Sequence, residues 1–415
     1  MASPFRSVCP RPPSTTNRCR SGAQSGTGTT SASPDHSVEV RVGGEALSTL
    51  VSDRQPRISA DSHMCEPLDL WETRLPERFR KYAIHLRHEY GTGFYFRAGG
   101  YEPGPRLEDM ARDGVLAEVL YPTFGKDMYD NERPPEAAEA CARVYNDWMI
   151  EFCQEDLDRL WGQPEIPLWN IGNAISELER CRKAGLVGAT IWMVPPPEIP
   201  FSSDHYERFW AAAQDMDVPV SMHINTGFSS YDAAAREAGR GRDHLASLKR
   251  SASGHKQVTA EALTDIICSG VLERHPRLKI IVAEVEVGWI PFWLTEMDKR
   301  SRRQSLPLKP SEYFYRQCYS TFTEDEVGGR LLEWYGADNF MWSTDYPHVG
   351  TGNIWLFSDE VIERTLGHLE PTTQAKVLAE NVAQLYGKPI PAPMADPPFD
   401  PALEEWRKTR TLASA

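Results

Sequence analysis

Positive charge is scarce in this 415-residue chain: 45 Lys and Arg face 59 Asp and Glu, a formal net charge of −14. A surface of that sign repels polyanions, so neither nucleic acid nor an anionic membrane is an expected partner. Long apolar runs are also missing; none approaches the ~20 residues that a bilayer span requires. The eight cysteines include no CxxC pair. Cys9 and Cys19 lie near the start and the rest are scattered, which suits buried thiols in a reducing compartment better than a disulfide framework. The cytoplasm is the expected location. Neither GxGxxG nor GxxxxGK[ST] follows a strand-like run, so a nucleotide-binding open sheet lacks its phosphate loop.

Residues 1–34 contain no acidic side chain; Arg6, Arg11, Arg18 and Arg20 are their only charges among abundant Ser, Thr, Gly and Pro. Such a segment cannot bury a core. It has no apolar stretch of the kind a secretory signal needs, and prolines and glycines interrupt any transit-peptide helix. Residues 1–55 are therefore expected to form a disordered low-complexity tail, or to reflect an upstream start site that adds nothing to function.

From about Arg57 onward, short apolar runs alternate with helix-period segments. GVLAEVLYPTF, RLWGQPEIPLW, GATIWMVPPP, VPVSMHINTG and RLKIIVAEVEVGW read as strands, and Tyr319–Phe322 and Phe340–Thr344 as shorter ones. Between them, Cys141, Val144, Tyr145, Trp148 and Phe152 keep helical spacing, ISELERCRKAG closes on Gly185, and EALTDIICSG and TTQAKVLAENVAQLYG follow. About eight alternations over roughly 330 residues fit an α/β architecture, a (β/α)8 TIM barrel. Residues 56–388 make up the barrel, with Glu72–Glu118 as an irregular insertion after the first strand, capping the mouth. A C-terminal helix precedes a Pro-rich extension, residues 389–415.

Four strand ends carry chemistry. RISADSHMCEPLDLW places Asp61 and His63 two residues apart, hence on one face of a strand. VPVSM ends in His223, RLKIIVAE in Glu284, and NFMWSTDYPH in Asp345 with His348 just beyond. C-terminal strand ends of an α/β barrel open on one face, so His63, His223 and Asp345 are expected to meet. Imidazole with carboxylate suits Zn²⁺ or another divalent first-row ion. Each residue alone has a plainer reading: a surface pair, a core histidine, a turn-starting aspartate, or a rim glutamate paired with arginine. Chance must then end four separate apolar runs in metal-type side chains.

ADSHMCEPLDLW, PVSMHINTG, LKIIVAEVEVGWIPF, MWSTDYPH and ENVAQLYG, in that order from Ile58 to Gly387, resemble the amidohydrolase-related family. These are metal-dependent TIM-barrel enzymes, and the branch in question includes aminocarboxymuconate-semialdehyde decarboxylase. The resemblance implies that Asp61 and His63 are the first-strand ligand pair, His223 the fifth-strand ligand, and Asp345 the aspartate touching metal or its water. The first pair is Asp-x-His where many relatives show His-x-His or Glu-x-His. Thr190-Ile191-Trp192-Met193 stand where a carbamylated lysine would be, which implies one metal, not two. Glu284 stands where the decarboxylase branch carries a histidine. Pairing into a homodimer comes with the family only by analogy.

One divalent ion, Zn²⁺ favoured ahead of Mn²⁺ and Fe²⁺, is the expected cofactor, with Asp345 as proton shuttle and Glu284 or His348 as a further acid or base. His348 reads equally well as a turn-stabilising partner of Asp345. Trp71, Trp192, Phe228 and Trp289 fall near strand ends and are the candidate contacts for a planar or apolar small molecule. Lys126, after the second strand, is a candidate for a substrate carboxylate. Hydrolysis of an amide, ester, lactone or C–C bond is the leading expectation. Non-oxidative decarboxylation of an aromatic or unsaturated acid is the alternative, and a non-catalytic ligand-binding barrel the third reading.

Overall fold

β-branched and apolar residues at the expected positions form eight short strands: β1 Ser59–Met64, β2 Glu118–Pro122, β3 Leu160–Gly162, β4 Ala189–Ile191, β5 Val220–His223, β6 Ile280–Ala283, β7 Cys318–Phe322 and β8 Phe340–Trp342. The computed structural model describes residues 55–86, 97–129, 133–229, 244–303, 305–348, 355–403 and 405. All belong to the unit Thr49–Ala415. The expected N-terminal tail, with Cys9 and Cys19, lies outside the described residues, Gln55 apart.

Every strand pairs in parallel, in the orders β1-β2-β3 and β4-β5-β6-β7-β8. Two seams join these sheets. A bridge between Glu165 and Thr190 links the chain after β3 to β4. On the other side, Asp345 N–H donates to the Asp61 carbonyl (3.0 Å) and His63 N–H to the Tyr346 carbonyl (2.6 Å). The result is a closed α/β barrel, as expected. Buried residues of β2, β3, β6 and β8, among them Val119, Tyr121, Trp161, Ile281, Ala283 and Met341, pack as one cluster.

Among the helices are α1 Leu70–Arg74, α2 Pro103–Asp113, α3 Pro135–Cys153, α4 Ile171–Lys183, α5 Glu207–Asp215, α6 His255–Cys268, α7 Ile290–Arg300, α8 Glu326–Tyr335, α9 Ser358–Leu366 and α10 Asn381–Tyr386. Helix α3 buries the face that its periodicity foretold, Cys141, Val144, Tyr145, Trp148 and Phe152 included. Helix α2 corrects the reading of Glu72–Glu118 as an irregular insertion. It opens on Pro103 and ends at Gly114 in the left-handed region (φ 72°), a regular start and stop. Its buried face is Arg106, Asp109, Met110 and Asp113, at helical spacing but mostly charged. An apolar pattern therefore has nothing to detect. Arg106 is held there by Glu118, paired with its Nε, and by the His63 carbonyl, which accepts from Nη1 at 2.7 Å.

All six described cysteines are free thiols, five of them buried. No described helix is long and apolar enough to cross a membrane. The Pro-rich C-terminal stretch runs back along the barrel: Arg159 donates to the Ala392 carbonyl and Arg112 to that of Pro398, each at 2.7 Å. Leu403 packs with Tyr346 and Trp355.

Candidate metal centre and aromatic pocket

Two imidazoles are aimed by backbone carbonyls. His63 Nδ1 lies 3.0 Å from the Pro122 carbonyl, and His223 Nδ1 lies 2.9 Å from that of Ile224. A carbonyl oxygen only accepts, so each Nδ1 carries the proton and each Nε2 presents its lone pair. Asp61 accepts from the Thr321 hydroxyl through Oδ2 (2.9 Å), which leaves Oδ1 free. From His63 Nε2, Asp61 Oδ1 lies at 3.7 Å, Asp345 Oδ1 at 3.5 Å and Glu284 Oε2 at 3.8 Å. From His223 Nε2, Asp61 Oδ1 and Glu284 Oε2 lie at 3.5 and 3.4 Å.

Asp61 Oδ1, His63 Nε2, His223 Nε2 and Asp345 Oδ1 are all buried without a hydrogen-bond partner. Buried polar atoms are normally satisfied, so these orphans, gathered around His63, describe a cradle for a ligand that the chain does not itself supply. Asp61, His63 and His223 have ligand atoms within 4.8 Å of one another, as do His63, Asp345 and His348. Two neutral imidazoles with carboxylates fit a divalent first-row cation. Local backbone helps to aim the donors. Asn225, Glu284 and Asp345, just beyond β5, β6 and β8, adopt φ of 62°, 60° and 55°. Non-glycine residues in that region carry about 1–3 kcal/mol of strain each, tolerated mainly at functional sites.

Electrostatics follow from burial and crowding. Burial, with the neighbouring His348 and His223, holds the His63 imidazolium well below its usual range. His223 moves up: burial opposes its charge, but the Asp61 carboxylate outweighs burial. Burial and the Asp345 carboxylate push Glu284 up to about 7. Burial and Asp61 raise Asp345 well above the carboxylate range. His348 stacks on His63 with centroids 3.9 Å apart, its Nε2 3.0 Å from Thr123 Oγ1 and its Nδ1 2.9 Å from Asp345 Oδ1. That last contact is close but not aligned as a hydrogen bond, since Asp345 Oδ1 has no hydrogen-bond partner. Lys126 follows β2, and its ammonium acts on His63, His223, Glu284, Asp345 and His348 alike. No hydrogen bond or ion pair to another described residue occupies it.

Beyond the ends of β2, β3, β4 and β5 the chain gathers an aromatic wall. Trp169 and Trp192 meet edge to face at 4.9 Å, with Phe228 at 6.2 and 6.3 Å from them and Tyr129 at 5.9 and 5.7 Å. Phe228 is placed by Gly227 (φ 90°), where a Cβ would sit 2.1 Å from the Val194 carbonyl oxygen. Trp192 and Phe228, two of the four candidate ring contacts, thus stand together. Trp71 does not join them: it packs against α3, donating its Nε1–H to the Cys141 carbonyl at 3.0 Å. Trp289 turns its Nε1–H to the Val285 carbonyl (2.9 Å) and pairs with Trp293 at 5.9 Å. Trp169, Tyr129, Thr321 and Glu165 were missed. Trp169 and Glu165 follow β3 in QPEIPLW, where prolines obscure the strand end, and Thr321 sits unremarked inside β7.

The family model described as amidohydrolase matches residues 94–388. Over 250 residues the chain is 26% identical to the gamma-resorcylate decarboxylase of Rhizobium sp. (strain MTP-10005), covering 54% of this chain and 71% of that protein. It is 24% identical over 311 residues to the 2-amino-3-carboxymuconate-6-semialdehyde decarboxylase of Dictyostelium discoideum, covering 71% and 80%. Among solved structures, an amidohydrolase from Mycobacterium avium subsp. paratuberculosis K-10 superposes with a TM-score of 0.67 at 18% identity, covering 80% of this chain and 100% of that one. A dihydroxybenzoic acid decarboxylase from Polaromonas sp. JS666, with bound manganese and 2-nitroresorcinol, gives 0.60 at 19% identity, covering 80% and 97%. The barrel and the length of the match leave one assignment: this chain belongs to the amidohydrolase family.

Proposed function

We propose that this protein is a metal-dependent, non-oxidative decarboxylase of aromatic carboxylic acids. The observation that carries the reading is the gathering of Asp61 and His223, and of Asp345 and His348, around His63 at the strand ends, in a chain whose curated relatives are named decarboxylases. Those names favour the alternative reading over hydrolysis, the leading expectation from sequence.

His63 Nε2, His223 Nε2, Asp61 Oδ1 and Asp345 Oδ1 would hold one divalent cation, Mn²⁺ or Zn²⁺; manganese accompanies the Polaromonas protein. When bound, the ion supplies a Lewis acid that polarises oxygen atoms of the substrate. The chain's own residues do the rest. The aromatic wall takes the ring face and excludes water. The Lys126 ammonium draws in the carboxylate. In the reaction the bond from ring carbon to carboxylate breaks, CO2 leaves, and the electron pair left on carbon takes a proton. Glu284 holds that proton on Oε2, 3.4 Å from His223 Nε2. Its side chain is 29% exposed, so solvent can restore the proton after each turnover.

The test is a panel of benzoates and hydroxybenzoates with Mn²⁺- or Zn²⁺-loaded protein, scored for CO2 and, in D2O, for one deuterium at the vacated ring carbon. His223→Ala is expected to abolish both signals. Acid release from esters with no CO2 from any carboxylate would return the assignment to hydrolysis.

A further inference from the structure

We infer that Glu165, held by Tyr129, reads an oxygen substituent on the ring of the bound acid and so sets which aromatic acids the pocket accepts. The inference deepens the proposed function and rests on the aromatic pocket being the substrate site. Strand register places the residue. Glu165 bridges Thr190, and Thr190 pairs with Ser221 in β5. Paired residues on parallel strands share a face, and Ser221 shares its face with His223 two residues on. Glu165 therefore projects from the same face as His223.

The side chain is fully buried, yet only half of it is used. Oε2 accepts the Tyr129 hydroxyl at 2.7 Å, whereas Oε1 has no partner. On the adjoining strand, Thr190 Oγ1 is likewise buried and unpartnered. Two orphaned polar atoms at paired positions call for a polar group that the folded chain does not itself provide. Beyond the bond to Tyr129 the backbone needs nothing from the carboxyl: it is already fixed, the Glu165 N–H donating to Asn146 Oδ1 (2.8 Å) and its carbonyl accepting from Asn146 Nδ2 (3.0 Å).

Tyr129 ties this carboxyl to the aromatic wall, because its ring stands edge-on to Trp192 at 5.7 Å. A ring lying against Trp192 brings its substituents towards Oε1. Burial lifts the Glu165 carboxyl to about 8, against the pull of Tyr129 and His223. Near neutrality it therefore carries a proton to donate to an oxygen of the ligand. Nothing in the decarboxylation scheme uses this residue, so its role is selection and positioning. A site built around a buried polar partner rejects the analogue that lacks it.

The experiment titrates metal-loaded protein with benzoate and with its mono- and dihydroxy derivatives, reading quenching of Trp169 and Trp192 fluorescence, with CO2 scored in parallel samples. Wild type should bind the best hydroxylated ligand at least ~10-fold tighter than benzoate. In Glu165→Ala the ratio should fall to ~3-fold or less, with Glu165→Gln restoring part of it. Thermal melts check that each variant folds. Should Glu165→Ala fail to fold, Tyr129→Phe, which deletes one hydroxyl, must itself lower the preference ~3-fold. A preference unchanged in these variants, or absent from wild type, overturns the inference. A Glu165-dependent preference without CO2 from any acid supports it while refuting decarboxylation.

Discussion

The Thr321 hydroxyl donates to Asp61 Oδ2 at 2.9 Å, and this one bond decides that Oδ1 is the oxygen facing the two imidazoles. The same hydroxyl accepts the N–H of Glu284 at 2.8 Å, so β7 aims carboxylates on β1 and β6 without entering the centre itself. Thr321→Val keeps the shape and removes both bonds. Partners of this kind are typically worth ~10–100-fold in metal affinity. Competition with a chelator should show a loss of that size, with circular dichroism unchanged; wild-type affinity would deny Thr321 its aiming role.

Lys126 supplies the second expectation. Its ammonium bears on five groups of the centre and makes no ion pair with another described residue, so we expect its charge to serve a ligand. Lys126→Met should raise KM for an aromatic carboxylate by ~10–100-fold, the range for a charge-assisted hydrogen bond, with a smaller change in kcat. Lys126→Arg should recover part of the loss, and added salt should weaken wild-type binding more than that of the Met variant. Equal KM values in wild type and Lys126→Met would remove Lys126 from substrate binding.

The barrel and the candidate centre were legible for one reason: strands that end in chemistry leave a mark that survives without neighbours. Asp61, His63, His223, Glu284 and Asp345 each terminate a run whose apolar pattern is local. The remainder depends on long-range packing. Helix α2 hides behind a charged buried face that distant partners make tolerable: Glu118 and the His63 carbonyl for Arg106, Arg97 and Tyr346 for Asp109, and Ser358 for Asp113. Trp71 and Trp192 both lie close to strand ends, yet α1 packs one against α3 while the chain after β4 sets the other beside Phe228. Nothing in the spacing of either tryptophan distinguishes them.

That difference is itself testable. Trp71 is a core residue in this fold, so Trp71→Ala should cost about 3–5 kcal/mol of stability, the usual range for a buried tryptophan. Below its lowered melting temperature, kcat and KM should match wild type. Trp169 is only partly buried and lies against Trp192. Trp169→Ala should therefore show the reverse: a modest shift in melting temperature with a raised KM for aromatic acids. Denaturant melts and steady-state kinetics on the two variants decide the assignment, and a KM effect confined to Trp71→Ala would invert it.

Glu66 gives an expectation for pH. The fully buried carboxylate accepts from Gly125 N–H at 2.8 Å and from Phe124 N–H at 3.1 Å, which fixes the backbone immediately before Lys126. Burial pushes its pKa from 4.5 to about 7, although those N–H groups and Lys126 favour the charged form. The folded chain thus keeps a proton that the unfolded chain releases near 4.5. Stability contributed by this group is present at low pH and declines as pH rises from about 4.5 to about 7, by at most on the order of 3 kcal/mol. Glu66→Gln does not titrate and serves as the reference. Melting temperatures of both proteins in chelator, from pH 4 to 8, should show wild type losing ground to the glutamine variant across that window and holding level above it. A gap that stays constant, or widens in favour of wild type, would mean that the carboxylate enters the fold already ionised, with the N–H groups of Phe124 and Gly125 outweighing its burial.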